Sequence, residues 1–188
     1  MRRLALLLAV SLTASAQSFD DVRVYATGGK STTNWHGQAD LQAINFEAGR
    51  ALTRRTTVGV VVSALNLWQP RSWFGDLYGD GNESVRAVST ALLLRHSWRG
   101  DKPIRPYVEI STGPMYAEKR VPAATSRFNF VSLGGAGVTF NADGRFPFFA
   151  GYRVMHISNG GYAPRNPGLN IGAIVMGVQL RSASPHRR

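Results

Sequence analysis

Apolar and polar residues alternate with a period of two along most of the chain, and helical periodicity is almost absent. Such alternation is typical of β-strands, because successive side chains of a strand point to opposite faces. The pattern predicts eight strands, at 22–29, 38–52, 56–67, 84–98, 104–119, 127–140, 145–158 and 168–181. The first is expected to be short. Most of the others are long enough for the ~9–11 residues that a tilted membrane strand needs.

The predicted connections alternate in length. Short, turn-like connections fall at 53–55, 99–103 and 141–144, and longer ones at 30–37, 68–83, 120–126 and 159–167. A transmembrane barrel with short periplasmic turns and long outer loops produces this order. The sequence therefore predicts an all-β fold, an eight-stranded antiparallel transmembrane β-barrel over residues 17–181.

The faces of the predicted strands agree with a barrel that is apolar outside and polar inside. Phe148, Tyr152 and Val154 share one face of their strand, and Arg153 lies on the other. Glu47, Glu109 and Arg153 are expected to form charged pairs in the interior. Aromatic residues near the predicted strand ends could form the girdle of a membrane barrel: Trp35, Trp68, Trp73, Phe74 and Tyr78.

The two ends of the chain are interpreted as separate from the barrel. A cationic start, a short apolar run and Ala14-Ser15-Ala16 predict a cleaved secretory signal peptide at residues 1–16. Residues 182–188 form a basic tail, interpreted as a disordered extension. The chain has no cysteine, which excludes disulfides, thiolate metal sites and a cysteine nucleophile.

The formal net charge of +11 favours an anionic partner. Because the signal peptide predicts export, an anionic envelope lipid is favoured over nucleic acid.

The interior of an eight-stranded barrel is about filled by side chains, so function is expected on the outer wall or in the loops. His156 and Ser158 are two residues apart and share the face assigned to lipid. Polar side chains are costly there unless they are paired or used. Serine near histidine can perform acyl transfer, because the imidazole removes the hydroxyl proton. Asparagine and glycine in the following loop could stabilise the oxyanion.

The stretches 156–161 (HISNGG) and 166–170 (NPGLN) resemble the signature of the outer-membrane lipid A 3-O-deacylases, the PagL-type acyloxyacyl hydrolases. The resemblance implies an esterase that removes the 3-hydroxyacyl chain at position 3 of lipid A. It implies that His156 is the general base and Ser158 the nucleophile. It further implies oxyanion or substrate-binding roles for residues of the loop: Asn159, Gly161 and Asn166.

One position departs from the family pattern. Where the best-known members carry a glutamate that orients the histidine, this chain carries Asn170, and no acidic residue follows Asp143. An asparagine can still accept the imidazole N–H through its amide oxygen. Asn170 is therefore included in the predicted catalytic set.

The sequence predicts lipid A, as lipopolysaccharide in the outer leaflet of a bacterial outer membrane, as the partner of this membrane-embedded chain. No cofactor, metal or nucleic acid is expected, and homodimerisation is left open. Two alternatives remain at this stage. One is a non-enzymatic barrel, structural or adhesive, whose His-x-Ser is inert. The other is a secreted basic binding module with a β-sandwich core.

Overall fold

The computed structural model describes residues 19, 21–32, 38–71, 81–98 and 102–180, and it is an eight-stranded antiparallel barrel. The strands are β1 Asp21–Ser31, β2 Asp40–Ala51, β3 Thr56–Gln69, β4 Glu83–Ser97, β5 Arg105–Ala117, β6 Phe128–Phe140, β7 Phe148–Ser158 and β8 Leu169–Leu180. Each strand pairs with its neighbour in sequence, and β1 pairs with β8 to close the barrel. A closed barrel excludes the β-sandwich alternative.

Within the described residues, no helix is long and apolar enough to cross a membrane. The predicted signal peptide and basic tail lie outside the described residues, as do Trp35, Trp73, Phe74 and Tyr78. Trp68 is described, and it is exposed near the end of β3.

Most strand ends differ from the sequence prediction by one to three residues, and the differences at β1 and β7 have a clear cause. β1 has 11 residues and is not short. Lys30 and Ser31 extend it, because both still pair with β8 and Lys30 also pairs with β2. β7 begins at Phe148, so Phe146 lies in the preceding turn. Pro147 has no N–H to donate to a ladder, which favours a strand start after it.

The charged residues of the barrel interior form one connected network. Arg95 donates to both carboxylate oxygens of Glu47 at 2.6 and 2.8 Å, and to Glu109 at 2.7 and 2.9 Å. Arg153 donates to the second oxygen of Glu109 at 2.6 Å. The predicted interior pairing is confirmed, with Arg95 as the central cation that the sequence prediction did not name. The network ties together β2, β4, β5 and β7.

The sequence pattern predicts a polar interior, but only part of the interior is polar in the structure. At the end of the barrel that carries the longer connections, apolar side chains fill the lumen, among them Leu41, Leu67, Ile157, Leu169 and Ile171. These residues are at most 1% exposed. Apolar packing is favourable here, because a polar group away from water would need a hydrogen-bond partner. These apolar side chains form a plug in the lumen, which we call the apolar plug. It also fixes the inward side chains of β7 and β8 close to their loop.

Removing the central cation is expected to destabilise the barrel. Arg95→Ala leaves Glu47 and Glu109 buried without a main partner, a change that costs about 3–5 kcal/mol. We expect the temperature at which the folded band converts to the unfolded band in heat-modifiable gel migration to fall clearly. The exposed turn variant Arg54→Ala is the control and should leave this temperature unchanged. Equal stability of the two variants would contradict a structural role for the network.

Candidate active site

The predicted catalytic residues lie on the outer wall where β7 and β8 approach their connecting loop. Among the contacts of the described residues, His156 is hydrogen-bonded to Asn170 and not to Ser158. His156 of β7 and Asn170 of β8 are directly opposite in the strand register. Both side chains point outward. Their neighbours Ile157 and Leu169, one residue nearer the loop, point inward and fill the lumen, at 0% and 1% exposure. Ser158 lies on the same outward face, two residues beyond His156. The lipid-facing placement of the pair predicted from the sequence is therefore present in the structure.

His156 and Asn170 are joined by a hydrogen bond of 2.7 Å between Nδ1 and Oδ1. An amide oxygen only accepts, so Nδ1 carries the hydrogen of this bond, and in the neutral imidazole Nε2 keeps its lone pair. The backbone of Asn170 is held as well, since its carbonyl accepts the N–H of Thr32 at 2.9 Å. The arrangement fixes the imidazole with its basic nitrogen available for proton transfer.

Gly168 lies beside the Cε1 edge of the His156 ring, and the sequence prediction gives it no role. Its φ of +69° is in the left-handed region, which favours glycine. A Cβ at this position would lie 2.8 Å from Cε1 of His156. The signal available in the sequence was a glycine directly after Pro167 at the start of a strand. Gly168 lets the loop return close over the ring.

The loop from Asn159 to Gly168 is shaped by the side chains of two asparagines. Asn159 is 1% exposed, and its Oδ1 accepts the N–H of Gly161 at 2.8 Å while its Nδ2 donates to the carbonyl of Arg165 at 2.7 Å. The N–H of Asn159 donates to Oδ1 of Asn166 at 3.0 Å. Asn159 and Gly161 are thus engaged within the loop. Their geometry supports a loop-forming role more directly than donation to an oxyanion.

Asn166 is placed differently. Its side chain is exposed, and its Oδ1 is taken by the N–H of Asn159. Among the described residues its Nδ2 has no hydrogen-bond partner. The two N–H groups of Asn166 Nδ2 are therefore free to donate hydrogen bonds from the loop that follows Ser158.

The loop is anchored to the connection between β5 and β6 and to the first residue of β6. Tyr162 donates its hydroxyl hydrogen to the carbonyl of Phe128 at 2.7 Å, and Arg165 donates from Nε to the carbonyl of Ala124, also at 2.7 Å. The rings of Tyr162 and Phe128 are in edge contact, with centroids 5.9 Å apart. These contacts tie the donors of Asn166 to the barrel.

A closed eight-stranded antiparallel barrel with an apolar outer wall defines the class of outer-membrane barrel proteins, and the candidate site lies on the face of the barrel that lipid contacts. The family model of lipid A 3-O-deacylase (PagL) matches residues 21–179. The chain belongs to this family. It is a lipid A 3-O-deacylase of the outer membrane, a hydrolase whose substrate lies in the membrane itself. The resemblance noted in the sequence is confirmed.

Two solved structures share the fold. The chain is similar to the crystal structure of the outer-membrane enzyme PagL, with 19% identity and a TM-score of 0.56 over 86% of this chain and 99% of that chain. It is also similar to neisserial surface protein A (NspA), with 14% identity and a TM-score of 0.58 over 86% and 96% of the two chains. No curated protein matches the chain significantly.

The contact between Gly168 and the imidazole yields a test of the site geometry. Gly168→Ala should displace the ring from Asn170 and lower the rate of lipid A deacylation by about 10- to 100-fold, as misplacement by about 1 Å does. Gly160→Ala is the matched control. It creates comparable backbone strain at φ +66°, but its Cβ would meet only the Phe130 ring, at 3.4 Å. Equal rates for the two variants would contradict the contact's importance.

Proposed function

We propose that Ser158 is the nucleophile of the deacylase and His156 its general base, oriented by Asn170. The observation that carries this assignment is the 2.7 Å bond from His156 Nδ1 to Asn170 Oδ1 on the outer wall. It leaves Nε2 as the proton acceptor, and Ser158 is the serine on the same face of the same strand. A base with a fixed tautomer activates a serine once the hydroxyl comes within hydrogen-bond reach of it, and His156 and Ser158 share one face of β7.

The first half-reaction transfers the acyl group to the enzyme. His156 Nε2 takes the Ser158 hydroxyl proton as Oγ attacks the carbonyl carbon of the ester at position 3 of lipid A. The carbonyl oxygen becomes an oxyanion, which Nδ2 of Asn166 stabilises by hydrogen bonding. The bond between the carbonyl carbon and the sugar oxygen then breaks. His156 returns the proton to that oxygen, and the acyl group remains on Ser158.

The second half-reaction releases the fatty acid. Water gives a proton to His156 Nε2 and attacks the acyl carbon, the bond to Ser158 Oγ breaks, and the proton returns to Oγ. In both halves His156 passes through the imidazolium form. Asn170 stabilises this cation through its amide dipole, more weakly than a carboxylate would.

All proposed residues lie on β7, β8 and the loop between them, so one copy of the chain contains the whole apparatus. Homodimerisation stays a prediction that the mechanism does not require. No contact at the site favours the non-enzymatic alternative. An inert His-x-Ser does not require the hydrogen bond that orients the imidazole.

Removing the nucleophile or the base should abolish turnover. Ser158→Ala and His156→Ala are each expected to lower lipid A deacylation by at least about 1000-fold, and the double variant should lose little more, since the two residues act as a unit. Released fatty acid is quantified by mass spectrometry. Ser84→Ala, which removes an exposed serine on β4, is the control and should retain full activity. Near-normal hydrolysis by folded Ser158→Ala would overturn the assignment.

The role of Asn170 can be tested in both directions. Asn170→Ala should lower the rate by about 10- to 100-fold without abolishing it, because the nucleophile, base and oxyanion donor remain. Asn170→Glu should retain or raise the rate, since a carboxylate accepts the same hydrogen bond and stabilises the imidazolium. Asn66→Ala removes an exposed asparagine from the outer wall of β3 and serves as the control. An unchanged rate in Asn170→Ala would remove this residue from the mechanism.

A further inference from the structure

Four polar side chains form a continuous row across the outer wall, from β5 to β8. In the strand register, Thr112 is opposite Ser132 and Ser132 is opposite His156. His156 is in turn opposite Asn170. We call these four residues the outer polar row. The proposed mechanism uses His156 and Asn170 and leaves Thr112 and Ser132 without a role.

The unused pair is polar on a wall that otherwise faces lipid. Thr112 Oγ1 and Ser132 Oγ are hydrogen-bonded to each other at 2.8 Å, and both side chains are exposed. One hydroxyl donates in this bond, so the other keeps a hydrogen that has no partner among the described residues. Such a group is costly on a lipid-facing surface unless it is used. The next outward residues on either side of Ser132 along β6 are Phe130 and Gly134, neither of which has a polar side chain.

The outer wall next to Ser132, on the side away from the long loops, has small side chains that leave room for an acyl chain. Gly134 and Ala136 are the next outward residues of β6, and a Cβ on Gly134 would meet nothing within 4 Å. The flanking outward residues are larger, with Ile110 of β5 61% exposed and Val154 of β7 52% exposed. β7 runs toward the long-loop end, so an acyl chain attached at Ser158 extends into the membrane past the level of His156 and Ser132.

The separation between Ser158 and Ser132 restricts which part of the substrate's acyl chain passes Ser132. Ser158 is opposite Phe130, so Ser132 is its diagonal neighbour across the strand pair. Such diagonal neighbours are about 7–8 Å apart. A near-attack contact of about 3 Å and a hydrogen bond of about 2.8 Å cover most of this separation. The separation that remains after these two contacts is short. It fits a hydroxyl on an acyl-chain carbon close to the ester carbonyl and not a hydroxyl far along the acyl chain.

We infer that Ser132, held by Thr112, is a specificity-determining residue that hydrogen-bonds a hydroxyl on carbon 3 of the scissile acyl chain. This inference rests on the proposed function, because it takes Ser158 as the point of attack. Ser132 therefore favours 3-hydroxyacyl esters over unsubstituted acyl esters at the same position. One such hydrogen bond corresponds to a preference of about three- to tenfold.

The experiment compares two synthetic lipid A substrates that differ only at carbon 3 of the 3-O-linked chain, 3-hydroxytetradecanoyl in one and tetradecanoyl in the other. Both are mixed in the same detergent micelles, and the two released acids are quantified by mass spectrometry. The ratio of their kcat/KM values is the readout. We expect about a three- to tenfold preference for the hydroxylated chain in the unaltered protein.

Ser132→Ala should bring this ratio close to one while hydrolysis of the unsubstituted ester continues. Thr112→Val should reduce the ratio in part, which keeps the inference testable if Ser132→Ala does not fold. Ser132→Thr, which keeps the hydroxyl, and the control Ser84→Ala should both retain the preference. An unaltered protein with no preference, or a Ser132→Ala variant that keeps it, would overturn the inference.

The two proposals can fail separately. The ratio is measurable whichever serine is the nucleophile, so an active Ser158→Ala variant would overturn the proposed mechanism and still leave the Ser132 ratio informative. If folded Ser132→Ala loses hydrolysis of both substrates, Ser132 belongs to the catalytic apparatus and the specificity role is overturned.

Discussion

The ion pairs of Arg95 with Glu47 and Glu109 connect β2, β4 and β5 through the lumen of the barrel. A barrel of eight strands must fill its lumen, and charged side chains are tolerated there only if each finds its partners. The bidentate bonds of Arg95 satisfy this condition toward the short-turn ends of β2, β4 and β5, and Arg153 extends the network to β7. The network and the apolar plug together occupy much of the described interior. Chemistry on a lipid is consequently left to the outer wall and the loops.

The outer-wall site follows from the same alternation that fills the lumen. Ile157 and Leu169 pack into the plug, which obliges their neighbours His156 and Asn170 to face outward. The register of β7 and β8 then sets these two side chains opposite each other. The membrane enzyme thus uses its packed interior to hold an imidazole in place on a surface that lipid can reach. Asn159 and Gly168 complete the geometry from the loop.

Much of this could be predicted from the sequence, because a period of two assigns each strand residue to a face. The outward placement of His156 and Ser158 and the inward placement of Arg153 follow from that alternation alone. The central role of Arg95 could not be predicted, since it depends on which side chains meet across the closed barrel. The engagement of Gly161 by Asn159 depends on loop geometry that no periodicity describes. The pairing of Thr112 with Ser132 required the register of β5 against β6.

In the proposed mechanism, catalysis runs through a covalent acyl group on Ser158. Its most direct test is labelling of the folded protein with a lipophilic fluorophosphonate, followed by peptide mass spectrometry to locate the adduct. We expect a single phosphonylated serine, Ser158, with lipid A deacylation falling in proportion to the labelling of Ser158, and with slower labelling in His156→Ala. An adduct on Ser132 in place of Ser158, or full inactivation with Ser158 unmodified, would contradict it.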